Sequence, residues 1–276
     1  MLISLEPSPL DAPYTPDGYS SLRLFTAERP GNRLLAALPA CDWKHLSRHM
    51  ERVDMPLGQV LYESGGDMSH VYFPTTAIVS LLNLTASGAC AEFATVGNDG
   101  LVGVALLTGG MSTSGRAVVQ SAGEGHRLPR QVLVDELDAG GAVMQLLLRY
   151  TQALLTQVAQ TALCNRHHAV EQQVSRLILQ NLDRLEGSSL CMTQELLASK
   201  LGVRRESVTL VALALQRDGL IRYARGRIEV LDRRGLEERA CECYAAVKHE
   251  CDRLLPPMPP EATGLWKPQR HRVAAR

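Results

Sequence analysis

Apolar positions change their period twice along this chain, and each change marks a boundary. Residues 1–30 hold five prolines and no sustained period, so they read as a poorly ordered arm. Asn32 can then cap a short helical run over 33–38, and a second helix is expected from about 42 to 50. From 55 to 128 apolar residues come in short β-like runs, at 58–63, 70–73, 77–84, 91–96, 101–107, 115–121 and 125–128. Turn residues separate them, at 64–67, 87–88 and 97–100. Short strands at this spacing predict a small sandwich or barrel.

The second change comes at Val143, where a helical period runs to Leu163 with no Gly or Pro. Leu147 and Leu154 lie one heptad apart, as do Leu148, Leu155 and Ala162, with Val158 between. That apolar face is too wide for a two-stranded seam, and it fits a helix packed on the β domain and on a second copy. A helix buried wholly within its own core is the simpler alternative. Residues 164–168 break the period and read as a hinge, followed by a helix over 169–185.

The stretch 193–219 reads as two helices joined by a tight turn. Thr193 can cap the first, with Leu196, Leu197 and Leu201 on one face. Gly202 sits at the turn, where a residue without Cβ takes positive φ at little cost. Val203, Val208, Val211, Ala212 and Leu215 then recur at helical spacing. Arg204, Arg205, Glu206, Ser207 and Thr209 crowd the front near the N-terminus, and Gly219 is placed as the C′ residue. Two strand-like runs, 220–223 and 227–231, flank a Gly-containing turn and put Arg225 and Arg227 at an exposed tip. Helix, turn, helix and basic hairpin together predict a winged helix-turn-helix, whose basic front suits the DNA major groove. A packed pair of helices with solvated arginines is the plainer reading. One last helix is expected over 232–255, before a Pro-rich basic tail at 256–276.

Length and charge sharpen this. The 276 residues, 45% apolar, leave room for two domains with real cores. No apolar run reaches membrane-spanning length, and the first residues lack a signal-peptide pattern, so a cytoplasmic protein with no membrane partner is expected. The net charge of zero lends nothing to nucleic-acid binding, but its distribution does. Lys200, Arg204, Arg205, Arg217, Arg222, Arg225 and Arg227 face only Glu206 and Asp218 over 200–227, seven against two, a local excess of five.

Seven cysteines without an export signal argue against a disulfide framework. Cys241, Cys243 and Cys251, near His249, have the look of a metal cluster. However, Leu236, Ala240, Cys243, Val247, Cys251 and Leu254 form one helical stripe, so buried core cysteines are expected and no metal site. His167 and His168, adjacent in sequence, point different ways on a helix and do not share a ligand easily. No nucleophile elbow or phosphate-cradling glycine loop appears, so no enzyme is expected.

In this order of elements the chain resembles the Crp/Fnr family of bacterial transcription regulators, over roughly residues 31–255. The most specific likeness is Leu201-Gly202-Val203-Arg204-Arg205-Glu206-Ser207-Val208, similar to the family's Gly-x-Ser-Arg-Glu-Thr-Val signature. Gly58-Gln59-Val60-Leu61-Tyr62-Glu63 with His70-Val71-Tyr72-Phe73 looks like the start of its effector domain. The resemblance implies an α+β chain with five parts. These are an arm (1–30), a cyclic-nucleotide-binding-like β-roll sensor, or double-stranded β-helix (31–140), a dimerisation helix (141–165), a winged helix-turn-helix (166–255) and a tail (256–276).

By the same resemblance Arg205 matches a guanine-reading arginine and Glu206 a cytosine-reading acid, with Arg204 and Thr209 as further base contacts. Thr193 and Ser207, with Arg225 and Arg227 of the wing, would hold phosphates. The family's second base-contacting arginine falls at Leu210. In the sensor the implied effector residues are Gly103, Val104, Arg116 and Ala117. The acid that accepts from a ribose hydroxyl is replaced by Val104, while Arg116 could reach a phosphate. A cyclic nucleotide therefore stays a candidate without its ribose acceptor, and no cofactor is assigned. The N-terminal cysteines of the iron–sulfur members are missing, since only Cys41 precedes Cys90. The expected function is a homodimeric, sequence-specific DNA-binding regulator of palindromic sites, partnered by RNA polymerase if it activates. The alternative is a small-ligand or redox sensor whose C-terminal domain engages a protein.

Overall fold

A computed structural model describes residues 31–86 and 90–257. The N-terminal arm, the 87–88 turn and most of the tail lie outside the described residues. The chain begins with two short helices, α1 (Arg33–Ala36) and α2 (Ala40–Leu46). Asn32 caps α1 as expected, its Oδ1 accepting from the N–H groups of Leu34 and Leu35 at 3.1 and 3.3 Å. Its Nδ2 donates to the carbonyls of Pro74 and Gly100, at 2.8 and 2.9 Å. One buried side chain thus starts a helix and fastens it to the β domain.

Seven strands follow: β1 (Glu51–Met55), β2 (Val60–Tyr62), β3 (His70–Pro74), β4 (Ile78–Leu84), β5 (Cys90–Val96), β6 (Gly115–Ser121) and β7 (Gly123–Pro129). They form two antiparallel sheets, in the orders β1-β7-β3 and β2-β6-β4-β5. Inward residues such as Val71, Phe73, Val79, Leu81, Ala94, Val96, Ala117 and Val119 fill the space between them, where each large aliphatic side chain contributes roughly 1.5–3 kcal/mol. β1 was not expected. It carries three charged residues out of five, and its pairing with β7, not its own pattern, makes it a strand.

The strand expected over 101–107 is absent. Gly103 at φ +112° turns the chain into a short 3-10 helix, Val104–Thr108, which Gly109 closes at φ +80°. A Cβ on Gly103 would sit 3.0 Å from Val71 Cγ1, so this turn depends on glycine.

Helix α3 (Arg130–Ala139), unforeseen in the sequence, leads into the long α4 (Ala142–His167). α4 runs through residues 164–167, so the expected hinge shifts to His168 and Ala169, where the backbone turns extended. Tyr150 of α4 lies against Gly100 and donates to the Leu101 carbonyl at 2.9 Å; a Cβ on Gly100 would come within 2.4 Å of its hydroxyl.

The C-terminal part has α5 (Val170–Leu182), β8 (Ser189–Cys191), α6 (Gln194–Leu201), α7 (Arg205–Arg217), β9 (Ile221–Ala224) and β10 (Arg227–Val230), with a β8-β10-β9 sheet. A second core of aliphatic residues sits beneath them, centred on Ile178, Leu197, Val208, Leu215 and Ile228.

The single terminal helix expected over 232–255 is two: α8 (Arg233–Arg239) and α9 (Glu242–Leu254). The chain is extended at Ala240 and Cys241, which breaks the apolar stripe. α9 packs along α4, and Leu255 joins the N-terminal core. Arg33 secures this return by donating to the Leu255 carbonyl at 2.7 Å. The last helix therefore bridges the two halves and does not simply complete the second. Among the described residues no helix is long and apolar enough to cross a membrane.

Candidate nucleic-acid interface

Local chemistry builds the predicted motif. Thr193 Oγ1 accepts from the Leu196 N–H at 3.1 Å and caps α6. Gly202 takes φ +64° and ends it, and α7 starts three residues later, at Arg205. Val208, Ala212 and Leu215 of α7 are buried, while Arg204, Arg205 and Glu206 are exposed at its N-terminal end. Leu210, 69% exposed, and Leu213 continue that outward face.

The wing turns on two residues with positive φ, Arg225 at +50° and Gly226 at +74°. That is the geometry of the tightest hairpin turns, and it suits glycine at the second position. An arginine in this region carries roughly 1–2 kcal/mol of strain, so the fold bears a cost to hold Arg225 at the tip. Tyr223 anchors the wing beneath it, donating to the Met192 carbonyl at 2.7 Å. Burial pushes the Tyr223 hydroxyl up to about 12, against the pull of nearby Arg205, so it remains a donor.

Between α6, α7 and the wing lies an open groove of about 450 Å³, lined by Thr193, Gln194, Arg205, Tyr223, Arg225 and others. The N-terminus of α6 and two arginines face it, and helix N-termini favour anions. Arg205 Nη1 is 3.9 Å from Glu195, a loose exposed contact.

Several expected residues land elsewhere. Lys200 is not part of the basic face: it is buried against β5, paired with Glu92 and Gln120 and donating to Ser80 Oγ at 2.8 Å. Burial pulls its ammonium below the usual lysine range, with Glu92 opposing. Arg217 and Arg222 face Asp218 and Glu229, at 3.4 and 2.8 Å. The basic surface is therefore narrower than the local count of five implied, and it consists of Arg204, Arg205, Arg225 and Arg227. The Thr209 hydroxyl donates within the motif, to Gln194 Oε1 at 2.8 Å or the Arg205 carbonyl at 3.0 Å, so it ties α7 to α6. Ser207 is half-buried in the first turn of α7.

The expected effector residues do not assemble a ready anion site. Val104 packs on the core, Ala117 is buried between β2 and β4, and Arg116 Nε lies 3.1 Å from Glu63. On α4 the six predicted residues divide. Leu147 and Leu154 are buried, Val158 is half-buried, and Leu148, Leu155 and Ala162 point outward.

What sequence reasoning missed is the seam between the halves. Besides Lys200, Arg184 of the C-terminal half grips Asp99 of the 97–100 turn with two contacts at 2.8 and 2.9 Å. Burial works against the Arg184 charge, and Asp99 more than offsets it. Gln120 of β6 donates to Asn181 of α5 at 3.1 Å.

Residues 166–239 match the model of the Crp-like helix-turn-helix domain. Residues 166–239 are a Crp-like helix-turn-helix domain, on a chain with the fold of solved Crp/Fnr-family proteins. FixK2 from Bradyrhizobium japonicum is 17% identical and superimposes with a TM-score of 0.61, over 70% of this chain and 98% of that one. A Crp-family transcriptional regulator from Thermus thermophilus is 20% identical, with a TM-score of 0.57 over 69% and 96%. The c-di-GMP-responsive regulator CLP of Xanthomonas campestris is 16% identical, with a TM-score of 0.54 over 70% and 99%. No curated protein matches at the level of sequence. The matched segment ends at residue 239, so α9 lies beyond it.

Proposed function

We propose that this Crp/Fnr-type regulator acts as a homodimer that reads a palindromic DNA site through α7, with the β-roll as its sensor. The observation that carries this is the outward placement of Arg205 and Glu206 on the first turn of α7. They adjoin a groove whose rim, Thr193 and Arg225, is suited to phosphate. An arginine forks onto guanine O6 and N7, and a glutamate accepts from cytosine N4. Leu210 stands one turn on and has no polar group to offer, so it meets a base edge through apolar contact of the kind a thymine methyl accepts. Outward Leu148, Leu155 and Ala162 provide the seam for a second copy, and two-fold symmetry then sets two half-sites about one helical turn apart. The Arg116–Glu63 pair and Val104 favour an effector other than a cyclic nucleotide.

Genomic fragments captured by the purified chain, then titrated by mobility shift, test the reading. With roughly two to three phosphates neutralised per protomer, log K should fall with log salt at a slope of about −4 to −5. No retarded complex with any fragment at low salt would favour the protein-binding alternative.

A further inference from the structure

Three cysteines and one histidine, 77 residues apart at their widest hydrogen-bonded pair, converge where α4 ends. Cys164 in the last turn of α4 and His168 at its C-cap are four residues apart, so they share a helix face. Cys241 is the N-cap of α9 and Cys243 lies in its first turn. The three thiols are buried, and their Sγ atoms and one nitrogen of His168 all lie within 4.8 Å of one another. Cys164 Sγ is 3.5 Å from Cys241 Sγ, and Cys243 Sγ is 3.6 Å from His168 Nδ1. A tetrahedral zinc ion, with Zn–S about 2.3 Å and Zn–N about 2.0–2.1 Å, sets its ligand atoms roughly 3.5–3.8 Å apart. Two contacts already have that spacing, and the widest has to close by about 1 Å.

Two further observations point to a cation. His168 Nε2 lies 3.1 Å from Glu242 Oε1, which leaves Nδ1 turned toward the thiols. A carboxylate on the far nitrogen is the usual support for a ligating imidazole, because it fixes the tautomer and the ring orientation. The second is Arg176, 2% exposed and beside the Cys164 thiol. Among the described residues the hydrogen-bond partners of this guanidinium are neutral, Thr161 and Gln180 at Nη1 and the Cys164 thiol, while its Nε has none. Among the described residues no acid pairs with it. A buried guanidinium is costly without a counter-charge. Three neutral thiols supply none, whereas three thiolates and a neutral imidazole around a divalent ion carry a net charge of −1.

We propose that Cys164, His168, Cys241 and Cys243 bind one Zn²⁺ as a closed structural site. Binding would release three thiol protons and leave no coordination position for a substrate. Sulfur-rich tetrahedral ligation suits zinc, and an iron–sulfur core would need these four atoms farther apart. Two ligands come from the end of α4 and two from α9, beyond the matched Crp-like segment. The ion would therefore clamp the last helix onto the end of the helix that faces the second copy. His168, whose side chain is 14% exposed, is the ligand that reaches solvent and offers the entry path. The spacing that argued against a metal in the sequence counted Cys251 and His249; the fold substitutes Cys164 and His168.

Elemental analysis of the full chain, purified under reductant without chelator or metal-affinity resin, tests this directly. About one zinc per chain is expected, unchanged in Cys90→Ser and Cys191→Ser and lost in Cys243→Ser and His168→Ala. Because those last variants can misfold, the stripped wild-type chain is also reloaded with Co²⁺. Intense tetrahedral d–d bands and thiolate-to-cobalt charge transfer should appear, and added Zn²⁺ should abolish them. Folded, reduced wild-type chain with neither zinc nor such bands would overturn the proposal. So would full zinc retention in Cys243→Ser, or a Cys164–Cys241 disulfide as the state that persists under reductant.

Discussion

Arg205 and Glu206 show what a residue's own chemistry can and cannot decide. Both stand at the N-terminal end of α7, solvated and, among the described residues, without a close side-chain partner other than Glu195 near Arg205. Their value in the folded chain is therefore in reach, not stability. Arg205→Ala is expected to leave unfolding unchanged and to weaken the specific site by about 1–3 kcal/mol while relaxing the preference at one base position. Competition binding against single-base variants measures it, and an equal loss on random DNA would contradict base reading. Thr209 teaches the converse. Its position on the helix front was legible, but its hydroxyl is engaged by Gln194, a partner 15 residues away that no local pattern shows.

At the scale of elements, helix ends marked by a capping residue were the most legible features, because capping is local. Asn32, Thr193, Gly202 and Gly219 all act where their chemistry predicted. Elements defined by partners were not legible. β1 exists because β7 accepts it, and the run at 101–107 fails as a strand because Gly103 turns it away. One side chain of the correctly expected α6 shows the same limit. Lys200 reads as a basic residue of the DNA face, yet it anchors the domain seam to Glu92. Removing one partner leaves the other charge buried, so Lys200→Ala or Glu92→Ala should each cost roughly 3–5 kcal/mol in denaturant unfolding. The paired change Lys200→Met with Glu92→Leu should recover most of that loss. Single losses below about 1 kcal/mol, or strict additivity, would show that the pair does not hold the seam.

The whole molecule places two halves in contact through Lys200, Arg184 and α9, and it leaves one apolar stripe uncovered on α4. Leu148 and Leu155 are 52% and 57% exposed, unusual for leucines one heptad apart on a long helix. Changing both to Asp should leave the fold intact and give a monomer by light scattering. Operator affinity should then fall by roughly 10²–10⁴, the advantage that two linked half-sites confer. A double variant that remained dimeric would remove α4 as the seam.

Local periodicity and capping were enough to determine the order of parts, the winged motif and the identity of its outward arginines. These depend on neighbours within a few residues, which the chain itself supplies. Which side of α4 faces its own core, where Lys200 goes, and that Cys164 and His168 meet Cys241 and Cys243 were decided only by the tertiary structure. Each depends on contacts between segments tens of residues apart, where packing, and not spacing along the chain, selects the partner.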